Sequence, residues 1–191
     1  DSYPIAILCK ASAFSNQDML DSYVEPIGKL GVAADQLIAF TLAYNEHGKA
    51  PASYVKTYLD GLLKALQSLS VTYLYVTDAN YFKTLTGAKK AALHLGYVLP
   101  CKIKGYEHMQ VILGLNYNQL IYDPTLQESL DLSLKTLATA IQGTYQAIGS
   151  NIIHSEYYPT ETYAIAAALD SLHQYPQLTC DIETFSLRFN E

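Results

Sequence analysis

Val71-Thr72-Tyr73-Leu74-Tyr75-Val76-Thr77-Asp78-Ala79-Asn80 is the stretch on which the reading of the fold turns. Its first seven residues are β-branched or aromatic except Leu74, the side chains that suit a pleated, packed strand. Asp78, Ala79 and Asn80 then supply a cap for the next helix, expected over 81–85 and broken at Gly87. A strand that passes straight into a helix is the beginning of a βαβ unit.

The same alternation runs outward in both directions. Toward the start, Pro4–Lys10 is an apolar run after a proline and predicts a strand buried on both faces. Ser15-Asn16-Gln17-Asp18 caps a helix through Leu30, which Pro26 is expected to shorten or break. Residues 36–43 predict a second buried strand. Pro51 then opens the clearest helix, 52–69, in which Val55, Leu59, Leu62, Leu63, Leu66 and Leu69 recur at helical spacing.

Beyond Gly87, a turn of helix is expected over 88–95, a short strand carrying Pro100 over 97–103, and a fourth core strand over 109–115. Residues 127–142 carry a helical stripe of Leu130, Leu134, Leu137 and Ile141. A strand over 151–158 and a helix over 160–173 complete the pattern. Alternating strands and helices predict an α/β fold, a three-layer α/β/α sandwich with a mostly parallel central sheet.

Composition narrows the class. Half of the 191 residues are hydrophobic and 16% charged, as in a folded domain, and no apolar run approaches the roughly 20 residues that span a bilayer. Cys9, Cys101 and Cys180 are scattered, which suggests neither a disulfide framework nor a zinc site. A reducing cytoplasm is the expected compartment. The net charge of −6 argues against nucleic-acid binding by the whole surface. Yet residues 79–106 hold Lys83, Lys89, Lys90, Lys102 and Lys104 and no acid. With Tyr81, Phe82, Tyr97 and Tyr106 interleaved, this segment has the residue types of a backbone-tracking, base-stacking surface for DNA; a solvated helix face beside core aromatics has the same composition. Seventeen tyrosines stand against no tryptophan, a bias without a sequence-level explanation.

In open α/β sheets ligands bind beyond the carboxyl ends of the strands, which selects the loops at 10–16, 43–51, 77–82 and 116–118. The five histidines, His47, His94, His108, His154 and His173, are each isolated from other metal-ligand residues. Asp78 and Asp123 sit at cap or turn positions. No nucleophile elbow and no glycine-rich phosphate loop is present.

The last stretch, Leu178–Phe189, follows the turn-like Tyr175-Pro176-Gln177 and reads as a strand. Residues two apart on a strand share a face, so Asp181 and Glu183 would offer two hard oxygen donors together, suited to Mg²⁺ or Mn²⁺. An edge strand with alternating polar residues has the same spacing. Cys180-Asp181-Ile182-Glu183-Thr184-Phe185-Ser186 closely resembles the first motif of the proofreading 3′–5′ exonucleases attached to DNA polymerases. In that family an Asp-x-Glu on the first strand of a ribonuclease H-like sheet holds two catalytic metals. The resemblance covers about a dozen residues, so it implies an exonuclease whose remaining acids lie elsewhere, with residues 1–176 as an accessory domain and 177–191 as the first exonuclease strand.

A second resemblance, one of layout over residues 4–125, is to the uracil-DNA glycosylase fold, including the strand-to-helix stretch from Val76 to Gly87. The loop after the first strand, Cys9-Lys10-Ala11-Ser12-Ala13-Phe14-Ser15, lacks the glycines and the water-activating acid of those enzymes. Asn116-Tyr117-Asn118 stands where they have a His-Pro-Ser type loop. Removing a base needs a pocket for it, an activated water and a cationic stabiliser, so the layout is expected without the activity. Together the two resemblances imply the N-terminal region of a bacteriophage family A-like DNA polymerase. Its expected partners are DNA and replication proteins, and no catalysis is expected from these residues alone. A free-standing glycosylase-like enzyme and a protein-interaction module with a flavodoxin-like sheet are the two other readings.

Overall fold

In the computed structural model, which describes residues 2–10, 15–150 and 157–179, the apolar run after Pro4 forms strand β1 (Ile5–Lys10) at the heart of a sheet. Ala6 and Leu8 point to one face and Ile5, Ile7 and Cys9 to the other, and all five are essentially without solvent exposure. A strand can be apolar at every position only when both its faces are covered. Four further strands join it: β2 (Leu37–Leu42), β3 (Tyr73–Val76), β4 (Val98–Pro100) and β5 (Gln110–Leu113). Their order is β2-β1-β3-β5-β4. Every pair is parallel except β4 with β5.

Helices cover both faces. On one lie α3 (Ala52–Ser68) and α4 (Ala79–Thr86), whose Val55, Leu59, Leu63, Leu66, Tyr81, Phe82 and Leu85 pack on Ala6, Leu8, Leu74, Val76 and Val111. The other carries Tyr23, Ile27, Leu130, Leu134 and Leu137, which pack on Ile5, Ile7, Tyr75 and Ile112. Of these, Ile27 comes from α2 (Glu25–Lys29) and the three leucines from α6 (Gln127–Ile141). The protein is therefore an α/β sandwich of three layers with a mostly parallel sheet, as its alternating elements predict. Each fully buried Leu, Ile or Val contributes roughly 1.5–3 kcal/mol relative to exposure, so these two clusters are the main favourable term holding the layers together.

Three local expectations are corrected. The helix opened by Ser15 is not broken at Pro26. Its α1 turn (Asn16–Met19) passes through a π-helical segment, Leu20–Val24, directly into α2. Proline has no N–H and its ring crowds the preceding turn, and the wider π turn immediately before Pro26 gives that ring room. Strand β2 is not buried on both faces: Leu37, Ile38, Ala39 and Phe40 are all partly exposed, because it forms one rim of the sheet and has a neighbour on one side only. Over 88–95, only Ala91–His94 is helical, as a 3₁₀ turn. Short α5 (Gln119–Tyr122) ends at Asp123, whose carboxylate accepts the Thr125 N–H at 3.1 Å, the cap expected of it.

These elements belong to a unit spanning 1–151; residues 152–191 form a second unit. The strand expected over 151–158 lies mostly outside the described residues, and Tyr157 and Tyr158 are not in a strand. The second unit contributes helix α7 (Thr162–Ser171), which continues as a 3₁₀ turn over Leu172–Gln174. No helix among the described residues is long and apolar enough to cross a membrane.

Candidate functional site

Because β1, β2, β3 and β5 run parallel, the loops leaving them share one edge of the sheet. The chain leaves β1 for one face and β3 for the other, so the direction of winding switches between these two neighbours. Crevices at such switch points are where open α/β sheets hold ligands. Lys10 ends β1, and its ammonium lies 4.9 Å from the centre of the Tyr44 ring. The Tyr44 hydroxyl donates to Asp78 Oδ2 at 2.9 Å. Asp78 Oδ1 accepts the N–H groups of Asn80 and Tyr81, so this carboxylate caps α4 as the sequence predicts. Burial first, and then the adjacent Asp78 charge, push the Tyr44 phenol well above its ordinary value.

Across the switch point, Tyr23 donates its hydroxyl to the Leu115 carbonyl at 2.7 Å and accepts the Tyr117 N–H at 3.0 Å. Tyr117 in turn donates to Asp18 Oδ2 at 2.8 Å. Bonds from Ser15 and then Tyr117 hold the Asp18 carboxyl below its ordinary value. Burial, with Asp18 beside it, pushes the Tyr117 phenol up to about 12. Cys9 lies beneath this edge, and burial pushes its thiol up to about 11 despite hydrogen bonds with Thr77 and Tyr23. A thiol so disposed stays protonated at neutral pH and is a poor nucleophile.

Part of the tyrosine excess thereby finds a physical reason. Tyr81 donates to the Ala43 carbonyl at 2.5 Å, Tyr54 to that of Tyr44 at 3.1 Å, and Tyr73 to that of Ala140 at 3.1 Å. The Tyr81 ring is buried, the Tyr73 ring half-buried and the Tyr54 ring exposed, and each hydroxyl ends on a loop or helix backbone group that its ring's position brings within reach. Phenylalanine would fill the same space without making these bonds, although the Ala140 carbonyl would keep the Gly143 N–H.

What this edge offers as chemistry is limited. Asp18 and Asp78 are both committed to caps and tyrosine hydroxyls, and Cys9 is protonated. Among the described residues, no three His, Cys, Asp or Glu side chains group as a metal site. The carboxylates expected to take a divalent cation, Asp181 and Glu183, lie outside the described residues.

The five lysines divide between two places. Lys83, half-buried, shares one ridge of α4 with Asn80 and Thr84 and lines a cleft of about 470 Å³ together with Lys56 of α3. The other four, Lys89, Lys90, Lys102 and Lys104, are exposed and follow the far end of α4. The Lys102 N–H donates to the Leu85 carbonyl at 2.7 Å, which holds the loop after β4 against that helix end. This loop lies at the amino end of β5, where Pro100 pairs with Gln110, and so at the opposite edge of the sheet from the switch point. Glu107 joins the same loop and accepts the Gly105 N–H at 2.8 Å. Among the described residues the ion pair present is His47 with Glu46, and no lysine takes part in one.

The aromatic half of the base-stacking expectation is corrected. Tyr81 and Phe82 are completely buried, lying with Leu85 on the face of α4 that packs on the sheet, and Tyr97 and Tyr106 are half-buried. Lys56 escaped the sequence reading because only the packing of α3 beside α4 brings it opposite Lys83. A further concavity, an apolar groove of about 660 Å³ between β2 and α3, is lined by Phe40, Tyr54, Tyr58, Leu62 and Ala65 with Thr57 and Gly61, and holds no charged group. No protein-family model matches this chain, and no curated protein matches it.

Proposed function

We propose that this chain is an accessory α/β domain of a bacteriophage DNA polymerase that carries a 3′–5′ proofreading exonuclease, and that it positions DNA without catalysing a reaction itself. The observation that carries the reading is the run Cys180-Asp181-Ile182-Glu183-Thr184-Phe185-Ser186. Two carboxylates at i, i+2 suit a hard divalent cation such as Mg²⁺ or Mn²⁺, and two such ions clamp the attacking and leaving oxygens in phosphodiester hydrolysis. Asp181 and Glu183 supply part of such a site, and further acids of the exonuclease would supply the rest. The commitment of Asp18 and Asp78 to structural bonds supports a non-catalytic role for the sheet edge. The four exposed lysines at the other edge support contact with the DNA backbone. Replication in the host cytoplasm is the setting this implies, with other replication proteins as further partners.

Binding of fluorescently labelled single-stranded and primer–template DNA, followed by anisotropy across a salt series, tests the reading. The chain is expected to bind at low salt with an affinity that falls steeply as salt rises. Changing Lys89, Lys90, Lys102 and Lys104 together to Glu is expected to abolish binding. No binding by the wild-type chain at low salt, or release of a free base from uracil-containing DNA, would overturn it.

A further inference from the structure

The cleft between the first turns of α3 and α4 has a composition that the structure does not otherwise use. Its walls are Ala50, Pro51, Ala52 and Lys56 on one side and Asn80, Lys83 and Thr84 on the other. The two ammonium groups come from different helices, and no carboxylate lines the space. No described ion pair neutralises either lysine. Lys56 is exposed on the outer face of α3, where Val55 and Leu59 take the core positions. Asn80, Lys83 and Thr84 follow one another at i, i+3 and i+4, so they form a single ridge of α4. At about 470 Å³ the cleft falls in the range of roughly 300–1,000 Å³ typical of small-ligand sites.

The two helices differ at this end in a way that adds to the charge. The amino terminus of α4 is closed by Asp78, which accepts from Asn80 and Tyr81. That of α3 begins at Pro51 with no side-chain cap and no acidic residue in its first turn. Its leading N–H groups and its partial positive charge are thus added to those of the lysines. Both helices start at the carboxyl edge of the sheet, the edge at which this class of fold holds ligands.

We propose that this cleft binds a phosphate group, with Lys56 and Lys83 as its two cationic contacts and Asn80 as a neutral donor. The phosphate comes either from a polynucleotide backbone or from a free mononucleotide. The inference deepens the DNA-handling reading and rests on it only for the polynucleotide source. It concerns a different surface from the four lysines at the opposite edge, so the two stand or fall separately.

The test pairs backbone amide chemical shifts with anisotropy, using inorganic phosphate, thymidine monophosphate and a labelled oligothymidylate as probes. Amides of Ala52, Ser53, Asn80 and Lys83 are expected to shift on titration. Saturation at far lower concentration by the oligonucleotide identifies the polynucleotide source; equal saturation by the monophosphate identifies the free nucleotide. The K56Q/K83Q variant is expected to bind about 10-fold more weakly at low salt and to lower the salt slope by roughly one per lysine lost. The charge-preserving K56R/K83R variant is expected to retain most of the binding, and both should match the wild type in circular dichroism. Unmoved amides with all three probes would overturn the inference. So would binding that K56Q/K83Q leaves intact and the quadruple Glu variant at the opposite edge abolishes, although that result would uphold the reading of the domain as a DNA-binding one.

Discussion

Gly114 lies so close against the ring of Tyr75 that a Cβ there would stand 2.5 Å from Cζ and 2.7 Å from Cδ1. Tyr75 is fully buried between β1 and β5 and cannot swing aside. Gly114→Ala is therefore expected to cost about 1–3 kcal/mol, the usual penalty of overpacking a filled core. Chemical denaturation measures it. In a Tyr75→Leu background the same change should cost clearly less, since the ring that obstructs the methyl group is gone. An equal cost in both backgrounds would show that the close approach is not the cause.

The hydroxyl of Tyr75 has a defined hydrogen-bond direction. Ser133 donates to its own helix at the Leu130 carbonyl, 2.7 Å away, so Tyr75 must be the donor in its 2.7 Å bond with Ser133 Oγ. Tyr75 also accepts the Leu115 N–H at 3.3 Å. Tyr75→Phe leaves that N–H without its acceptor and should cost about 1–3 kcal/mol. Ser133→Ala should cost a comparable amount, and the double variant less than the sum, with a coupling of roughly 0.5–3 kcal/mol. Strict additivity in the midpoints of denaturation would refute the bond.

Asp18 has a depressed carboxyl pKa with two identified causes, Ser15 the larger and Tyr117 the smaller. Both Ser15→Ala and Tyr117→Phe should raise its titration midpoint toward the ordinary 3.8, and Ser15→Ala should raise it further. Because the folded value lies below the unfolded one, the carboxylate contributes stability above the unfolded pKa. That contribution disappears as the pH falls through the folded value. Carboxyl carbon shifts recorded over a pH series decide the matter; a midpoint that neither substitution moves would count against it.

Asp78 has two tasks, and substitutions separate them. Asp78→Ala removes the cap of α4 and the acceptor for Tyr44, and should cost about 0.5–2 kcal/mol for the cap alone. Asp78→Ser restores a capping oxygen and should recover most of that cost, while the Tyr44 hydroxyl still lacks its carboxylate. Urea midpoints of the two variants give the comparison. If Ser is as destabilising as Ala, the Tyr44 bond and not the cap dominates.

What the sequence shows of this protein is whatever depends on near neighbours. The β1 run, the stripe of α3 and the Asp78 cap are all visible because each is written within a few residues. The rim position of β2 is not visible, since Leu37-Ile38-Ala39-Phe40 is as apolar as a central strand and only the sheet order shows that one neighbour is missing. Nor are the tyrosine bonds, which join positions up to 99 residues apart, as Tyr117 joins Asp18. The lysine-rich segment was legible as composition only. The helical phase of α4 buries Tyr81 and Phe82, and packing against α3 gives Lys83 a partner in Lys56 that no spacing announces. The exonuclease-like motif is legible in wording alone, since Asp181 and Glu183 lie outside the described residues.

The sheet has two rims, and a tyrosine attends each. On β2 the Tyr58 hydroxyl takes the Thr41 carbonyl at 2.7 Å; on β4 the Val98 N–H donates to Tyr145 Oη at 3.2 Å, and Pro100 has no N–H to offer. An open strand edge is a template on which another chain can build. Here part of that template is already occupied by side chains of the same molecule. Loss of the Tyr58 or Tyr145 hydroxyl would therefore do little to the core and would instead leave a sheet better able to recruit foreign strands, turning a question of stability into one of self-association.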